Sequence, residues 1–173
     1  MEYTTQLKKF DSNLWDYYID VPDDMVQSLL EDSDDRRVIC TLNGREEFHC
    51  ALMPKGDGTY FINVNKERRK KLHLRAGSQL SVKLKKDESE YGLPMPEELE
   101  ELLELDDKGS RLFHALTPGK QRSLIHMVGK LKRTDSRIRK AVAIVDYLKA
   151  SGGELDYKEL NQAFKDANRR DIP

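Results

Sequence analysis

The chain has 173 residues, 38% hydrophobic and 35% charged, with a net charge of -1; this fits one ordinary domain or two small ones and excludes a disordered chain. Near-neutral charge and a pI near 6.4 weigh against a dedicated nucleic-acid binder. No window approaches the roughly 20 apolar residues of a membrane helix, and MEYTTQLKKF has no signal-peptide run, so the expectation is a cytoplasmic protein without membrane insertion.

Residues 1–87 read as β structure, because alternation of apolar and polar residues recurs between turn signals. The predicted strands are Thr4 to Phe10, Leu14 to Val21, Arg36 to Leu42, Glu46 to Met53, Thr59 to Asn65 and Gln79 to Lys85, punctuated by Asn43-Gly44, Gly56-Asp57-Gly58 and Gly77. Pro22 to Leu30 reads as a short helix with Met25, Leu29 and Leu30 on its inner side. Six short strands with one helical insertion fit a small closed barrel, since closure removes exposed edges.

Cys40 and Cys50 flank the Asn43-Gly44 turn. Strand faces agree only if Leu42 pairs with Glu46 around an odd-numbered loop, which sets Cys40 opposite Phe48 and Cys50 opposite Val38. The thiols are then diagonal neighbours roughly 7–8 Å apart, too far for a relaxed disulfide. Buried free thiols are expected.

Composition changes at Asp87. Ten acids and no Lys or Arg lie between Asp87 and Asp107, with Pro94 and Pro96 among them, so residues 88–96 read as an acidic linker between a β domain at 1–87 and a helical domain at 97–173. Leu99, Leu102 and Leu103 give an acidic helix its apolar side, and Leu112, Phe113 and Leu116 suggest a short helix after Gly109. Thr117-Pro118 begins the next helix, with Leu124, Ile125, Val128 and Leu131 inward. Another follows Thr134 or Asp135, where Ile138, Ala141, Val142, Val145 and Leu148 keep 3.6-residue periodicity until Gly152-Gly153. In the last helix Asp156 and Glu159 form a capping box, Leu155 and Leu160 a staple, and Ala163, Phe164 and Ala167 a buried stripe.

Several segments together resemble the bacterial YdeI/OmpD-associated (bacteriocin-protection) family, whose N-terminal β domain is of unknown function. They are YYIDVP at Tyr17, RVICTLNG at Arg37, ALMPKGDGTYFINVNKERRKKL at Ala51, LRAGSQLSVKLKKD at Leu74 and LFHALTPGKQRSLIHMVGKLKRTDSRIRKA at Leu112. The resemblance implies a double-split β-barrel of the AbrB/MazE-like kind followed by a helical domain, an α+β protein. It implies no reaction.

Between Lys120 and Lys140 eight Lys or Arg residues face a single acid, Asp135. Arg122, His126, Gly129 and Arg133 line one helical stripe, left bare at Gly129, where a flat anionic ligand could lie. Arg133 and Arg137 bracket the start of the next helix, and Arg137 and Arg139 oppose its dipole by about 0.3–1 kcal/mol. Such placement wants a negative partner. Two readings stay open: the acidic segment Glu97 to Asp107 supplies it internally, or an anionic ligand or partner binds at Arg122, His126, Arg133, Arg137 and Lys140. A second basic run, Asn65 to Gly77, offers Arg68, Arg69, Lys70 and Lys71 either to a nucleic-acid backbone or as a solvated turn.

Catalytic signals are thin. His49, His73, His114 and His126 make no metal spacing, and there is no GxSxG, Walker loop or GxGxxG. Trp15, Tyr17 and Tyr60 fit barrel core better than a pocket. The expectation is a non-catalytic binding or stress-related module without cofactor. The alternatives are a nucleic-acid binder by analogy to AbrB-like barrels, a small-molecule enzyme with a site between the domains, or a protein that binds another protein through an exposed apolar patch.

Overall fold

The computed structural model describes residues 1–11 and 16–170. The chain divides into two compact units, Met1–Glu88 and Ser89–Pro173. The first carries antiparallel sheets and the second helices, a mixed α+β architecture.

In the first unit, β1 (Glu2–Gln6), β8 (Gln79–Lys86), β4 (Arg37–Leu42) and β5 (Glu46–Ala51) form one four-stranded sheet in the order β1-β8-β4-β5. A second sheet runs β2 (Lys8–Lys9), β3 (Tyr17–Val21), β7 (Tyr60–Asn63) and β6 (Met53–Pro54). Two strands expected to be continuous are each divided between the sheets. The first breaks at Leu7 between β1 and β2, and the fourth at Leu52 between β5 and β6. Both leucines are buried, and their N–H groups donate to Ser78 O and Arg36 O at 2.9 and 2.8 Å, so each turns the chain from one sheet to the other without losing a backbone bond. The alternation of β4 and β8 sends Val38, Cys40, Leu42, Leu80, Val82 and Leu84 into a core shared with Ile19 and Ile62 of the second sheet. Hydrogen bonding among the described residues gives two sheets and not one closed cylinder. Leu14 and Trp15 lie outside the described residues.

Leu42 pairs with Glu46, Cys40 with Phe48 and Val38 with Cys50, the register that the apolar faces required. Both cysteines are free. Their side chains nonetheless meet: a hydrogen bond with Cys50, together with burial, pushes the Cys40 thiol up.

Two helices accompany the sheets. α1 (Asp23–Leu30) buries Val26 and Leu29. α2 (Lys66–Lys71) occupies the basic run read as a turn, and begins where Asn65 Oδ1 accepts the Arg68 N–H at 2.9 Å. Beyond β8, Asp87 is fully buried as the hydrogen-bond partner of His49, whose Nδ1 donates to its carboxylate at 2.7 Å.

The second unit contains α3 (Glu97–Leu105), α4 (Asp107–His114), α5 (Pro118–Gly129), α6 (Thr134–Ser151) and α7 (Tyr157–Arg170). α6 is central and packs against the other four. Its Ile144 and Leu148 join Leu99, Phe113, Leu124 and Ile125 in a core of fully buried side chains, each contributing about 1.5–3 kcal/mol by removal from water. Tyr91, Leu93 and Met95 pack against that core. Gly109 lies inside α4, where a Cβ would stand 2.5 Å from Val145 Cγ1, so only glycine lets α4 approach α6 this closely.

The α6–α7 connection is closed by Gly152 in the left-handed region (φ 65°) and by Gly153 N–H donating to Leu148 O at 2.9 Å. Half of the expected capping box is present: Asp156 Oδ1 accepts the Lys158 and Glu159 N–H groups at 2.8 and 3.0 Å. Tyr147 replaces the other half, its hydroxyl accepting the Asp156 N–H at 3.1 Å and donating to Glu159 Oε2 at 3.2 Å.

Candidate functional site: the surface of α6

The basic junction between α5 and α6 separates into two kinds of residue. Arg137 turns back: Nε donates to Leu131 O at 2.7 Å, Nη2 to Gly129 O at 3.2 Å, and Nη1 lies 3.6 Å from Glu98 Oε1. A cation in the first turn of α6 therefore binds one carbonyl at the end of α5 and one just past it, where the dipole of that helix is negative. Gly129 faces the Pro96 ring at 3.5 Å from its would-be Cβ, yet remains exposed. Arg133, by contrast, is 78% exposed and its Nη2 lies 3.1 Å from Asp135 Oδ2. Lys140 sits over the Phe164 ring at 4.4 Å, where burial, and then Lys130, hold its amine below the usual lysine range. Arg122 is half-buried and His126 exposed. Among the described residues no hydrogen bond or ion pair joins either of them to Arg133.

The acidic segment answers part of the charge. α3 runs beside α6 with Glu98 against Arg137 at one end, and Asp106 against Lys149 at 2.6 Å just beyond the other. Asp106 also caps α4 by accepting the Gly109 N–H at 2.8 Å. Hydrogen bonds from Lys149 and Gly109 hold the Asp106 carboxyl below the usual carboxylate range.

In the basic run of the first unit, Arg68 stacks on Phe48 and Arg69 on Tyr17, each 3.8 Å from the ring centroid. Arg69 Nη1 also donates to Val64 O at 3.0 Å, and Lys71 bonds Glu46. Lys70 is exposed. Three of the four cations thus hold α2 to the sheets.

A site that periodicity did not reveal lies on the other side of α6. Ile138 and Val142 are 49% and 40% exposed, and belong to a groove of about 670 Å³ between α6 and α7. Ala143, Ala150, Ala163 and Ala167 keep its floor shallow, and Asp135, Arg139, Asp146, Asp166 and Arg170 form its rim. A smaller pocket of about 240 Å³ shares Arg139, Ala143 and Ala167 with the groove and adds Ser136, Lys140, Phe164 and Asn168. The combined surface is apolar in the middle and mixed in charge where α6 begins, with Asp135 among Arg139, Lys140 and Arg170. It can seat an apolar segment and meet an anionic group at one end.

His114 marks a third place. Its Nδ1 donates to Ser110 O at 2.8 Å, which leaves Nε2 to accept the Tyr91 hydroxyl at 2.8 Å. Glu100 and Glu104 line the same pocket of about 170 Å³. Burial, and then Glu90, raise the Tyr91 hydroxyl, so the arrangement favours a neutral phenol and not an activated one. Among the described residues no group of three His, Cys, Asp or Glu side chains could hold a metal, and no helix is long and apolar enough to cross a membrane.

Sheet unit and helical unit together define a class of protein: an antiparallel β domain joined in sequence to a five-helix domain. The first matches a domain of unknown function (DUF1905) over residues 3–84, and the second matches the family described as bacteriocin-protection, YdeI or OmpD-associated over residues 93–151. The helical unit is thus similar to the YdeI/OmpD-associated family, with the domain of unknown function on its N-terminal side. A search of curated proteins finds no match to it.

Proposed function

We propose that this protein is a non-catalytic binding module that seats an apolar segment of another polypeptide in the α6–α7 groove, with the anionic end of that segment against Ser136, Arg139 and Lys140. The observation that carries this reading is the exposure of Ile138 and Val142, two large aliphatic side chains side by side on one helix, above a floor of alanines. Scattered exposed apolar residues need no explanation, but a grooved pair does. Arg122, His126 and Arg133 line neither the groove nor the pocket beside it and stand outside this binding surface, and Arg137 is the clamp between α5 and α6. Free thiols at Cys40 and Cys50 support a reducing compartment, hence the cytoplasm. The residues at 1–87 and 97–173 are then two domains joined by 88–96. The switching of strands between sheets at Leu7 and Leu52 supports a double-split barrel as the N-terminal scaffold.

A photoreactive phenylalanine analogue placed at position 142, and in a control chain at position 105, tests the reading in cells. Leu105 is 86% exposed and lies outside the α6–α7 groove. The expected result is a discrete crosslinked protein from position 142 and none from position 105. Equal or absent crosslinking from both sinks the proposal.

A further inference from the structure

The smaller pocket beside the groove holds a positive charge with no counter-charge. Lys140 enters it from the second turn of α6 and sets its ammonium over the Phe164 ring at 4.4 Å. It is half-buried there, with no hydrogen-bond or ion-pair partner among the described residues, and the charge that bears on it, Lys130, has the same sign. An ammonium taken partly out of water beside another cation is stabilised by an anion that reaches it. The Ser136 hydroxyl and the Asn168 amide line the same pocket, and neither has a side-chain partner among the described residues. Each can donate a hydrogen bond. Asp135 and Asp166 line the neighbouring groove and not this pocket. Asp135 lies 3.1 Å from Arg133 Nη2, and Asp166 accepts from Gln162 Nε2 at 3.0 Å. Arg139, in the wall shared with the groove, has Asp135 at 3.9 Å and is not needed for the charge.

The rest of the wall is Leu131, Ala143, Phe164 and Ala167. A volume of about 240 Å³ falls below the range of about 300–1,000 Å³ that drug-sized ligands occupy, so the occupant is small. An inorganic anion would satisfy the polar side and leave the apolar wall in water, whereas a neutral apolar molecule would leave Lys140 unpaired. We infer that this pocket binds a small organic carboxylate, its anionic group at Lys140, Ser136 and Asn168 and its apolar body against Leu131, Phe164 and the two alanines. Charge-assisted hydrogen bonds orient the one end and burial holds the other. This site goes beyond the polypeptide reading, because it needs no occupant in the groove even though both use Ser136, Arg139 and Lys140.

Titration of the full chain with benzoate, followed through backbone amide chemical shifts, tests the assignment. Saturable shifts centred on Ser136, Lys140, Phe164 and Asn168 are expected, with benzamide and inorganic phosphate each binding at least about tenfold more weakly. Lys140→Met keeps the aliphatic stem and removes the charge, and should weaken benzoate at least about tenfold. Lys132→Met, at an exposed cation outside the pocket, should leave binding unchanged. Ser136→Ala removes one hydroxyl and should weaken benzoate about threefold, a readout that survives if Lys140→Met disturbs folding. The absence of saturable shifts up to tens of millimolar benzoate overturns the site, as does benzamide binding as well as benzoate. Phosphate binding as tightly as benzoate means an adventitious ion only and also overturns it. Benzoate binding without a crosslink from position 142 leaves the pocket standing and refutes the groove; a crosslink without benzoate shifts does the reverse.

Discussion

Arg137 and Arg133 are four residues apart in one basic run, and their chemistry differs because only one has somewhere to turn. Arg137 satisfies the Gly129 and Leu131 carbonyls and approaches Glu98, a carboxylate with one buried oxygen that has no hydrogen-bond partner. Its loss removes two hydrogen bonds from a charged donor to partly exposed carbonyls and the cation beside Glu98, and a hydrogen bond to a charged group contributes about 1.5–3 kcal/mol. Arg137→Ala should therefore lower the stability of the protein by about 2 kcal/mol in chemical denaturation. Arg133→Ala should leave it within about 0.5 kcal/mol. Equal effects would contradict the division of roles. The sequence showed the charges and their conflict with the α6 dipole; it could not show that a residue of one helix caps its predecessor, because that depends on the turn between them. Tyr147 teaches the same lesson. The capping-box pattern at Asp156 and Glu159 was legible, but the hydroxyl that completes it comes from nine residues upstream on another helix.

Among elements, helical periodicity located all the helices of the second unit, but misread one face of α6. Ile138 and Val142 share the 3.6-residue pattern of Ala141, Val145 and Leu148, yet only the latter three are fully buried. An apolar stripe wider than the neighbours can cover looks the same in sequence as core. The sequence places the short helix after Gly109, whereas Gly109 lies inside α4 and a Cβ there would stand 2.5 Å from Val145 Cγ1. The α3–α6 pairing has a pH signature. The Asp106 carboxyl is held below the usual carboxylate range by Lys149 and the Gly109 N–H. Its contribution to stability is thus fully present above the ordinary carboxylate pKa of about 4, and is lost as pH falls through the depressed folded value. Asp106→Asn keeps the cap and removes the charge, so its stability should vary less than the wild type's below pH about 4. An unchanged acid limb in denaturation midpoints would refute this.

For the whole molecule, two separate cores mean that damage should stay local. Asp87 stands at the end of the sheet unit with its side chain wholly buried against His49. The change in composition at Asp87 was plain in sequence, but its placement as a buried partner was not, because the first acid of a long acidic run reads as solvated. Asp87→Ala removes the partner of a half-buried imidazole and should cost about 3 kcal/mol. Hydrogen exchange should then quicken in β4, β5 and β8 and remain unchanged in α3 to α7. Uniform quickening would mean the units unfold as one. The alternating strands made the sheet content legible, whereas the sheet switches at Leu7 and Leu52 carry no local signal: a buried leucine in a strand looks the same whether the strand goes straight or turns.

The claim that the exposed face of α6 is the binding surface is tested most directly by photocrosslinking from position 142, with position 105 as the control for an exposed apolar residue outside the α6–α7 groove. A discrete adduct from 142 alone, removed when Ile138 is replaced by Asp, is the predicted result. Crosslinks of equal yield from both positions, or an adduct insensitive to Ile138→Asp, would contradict it.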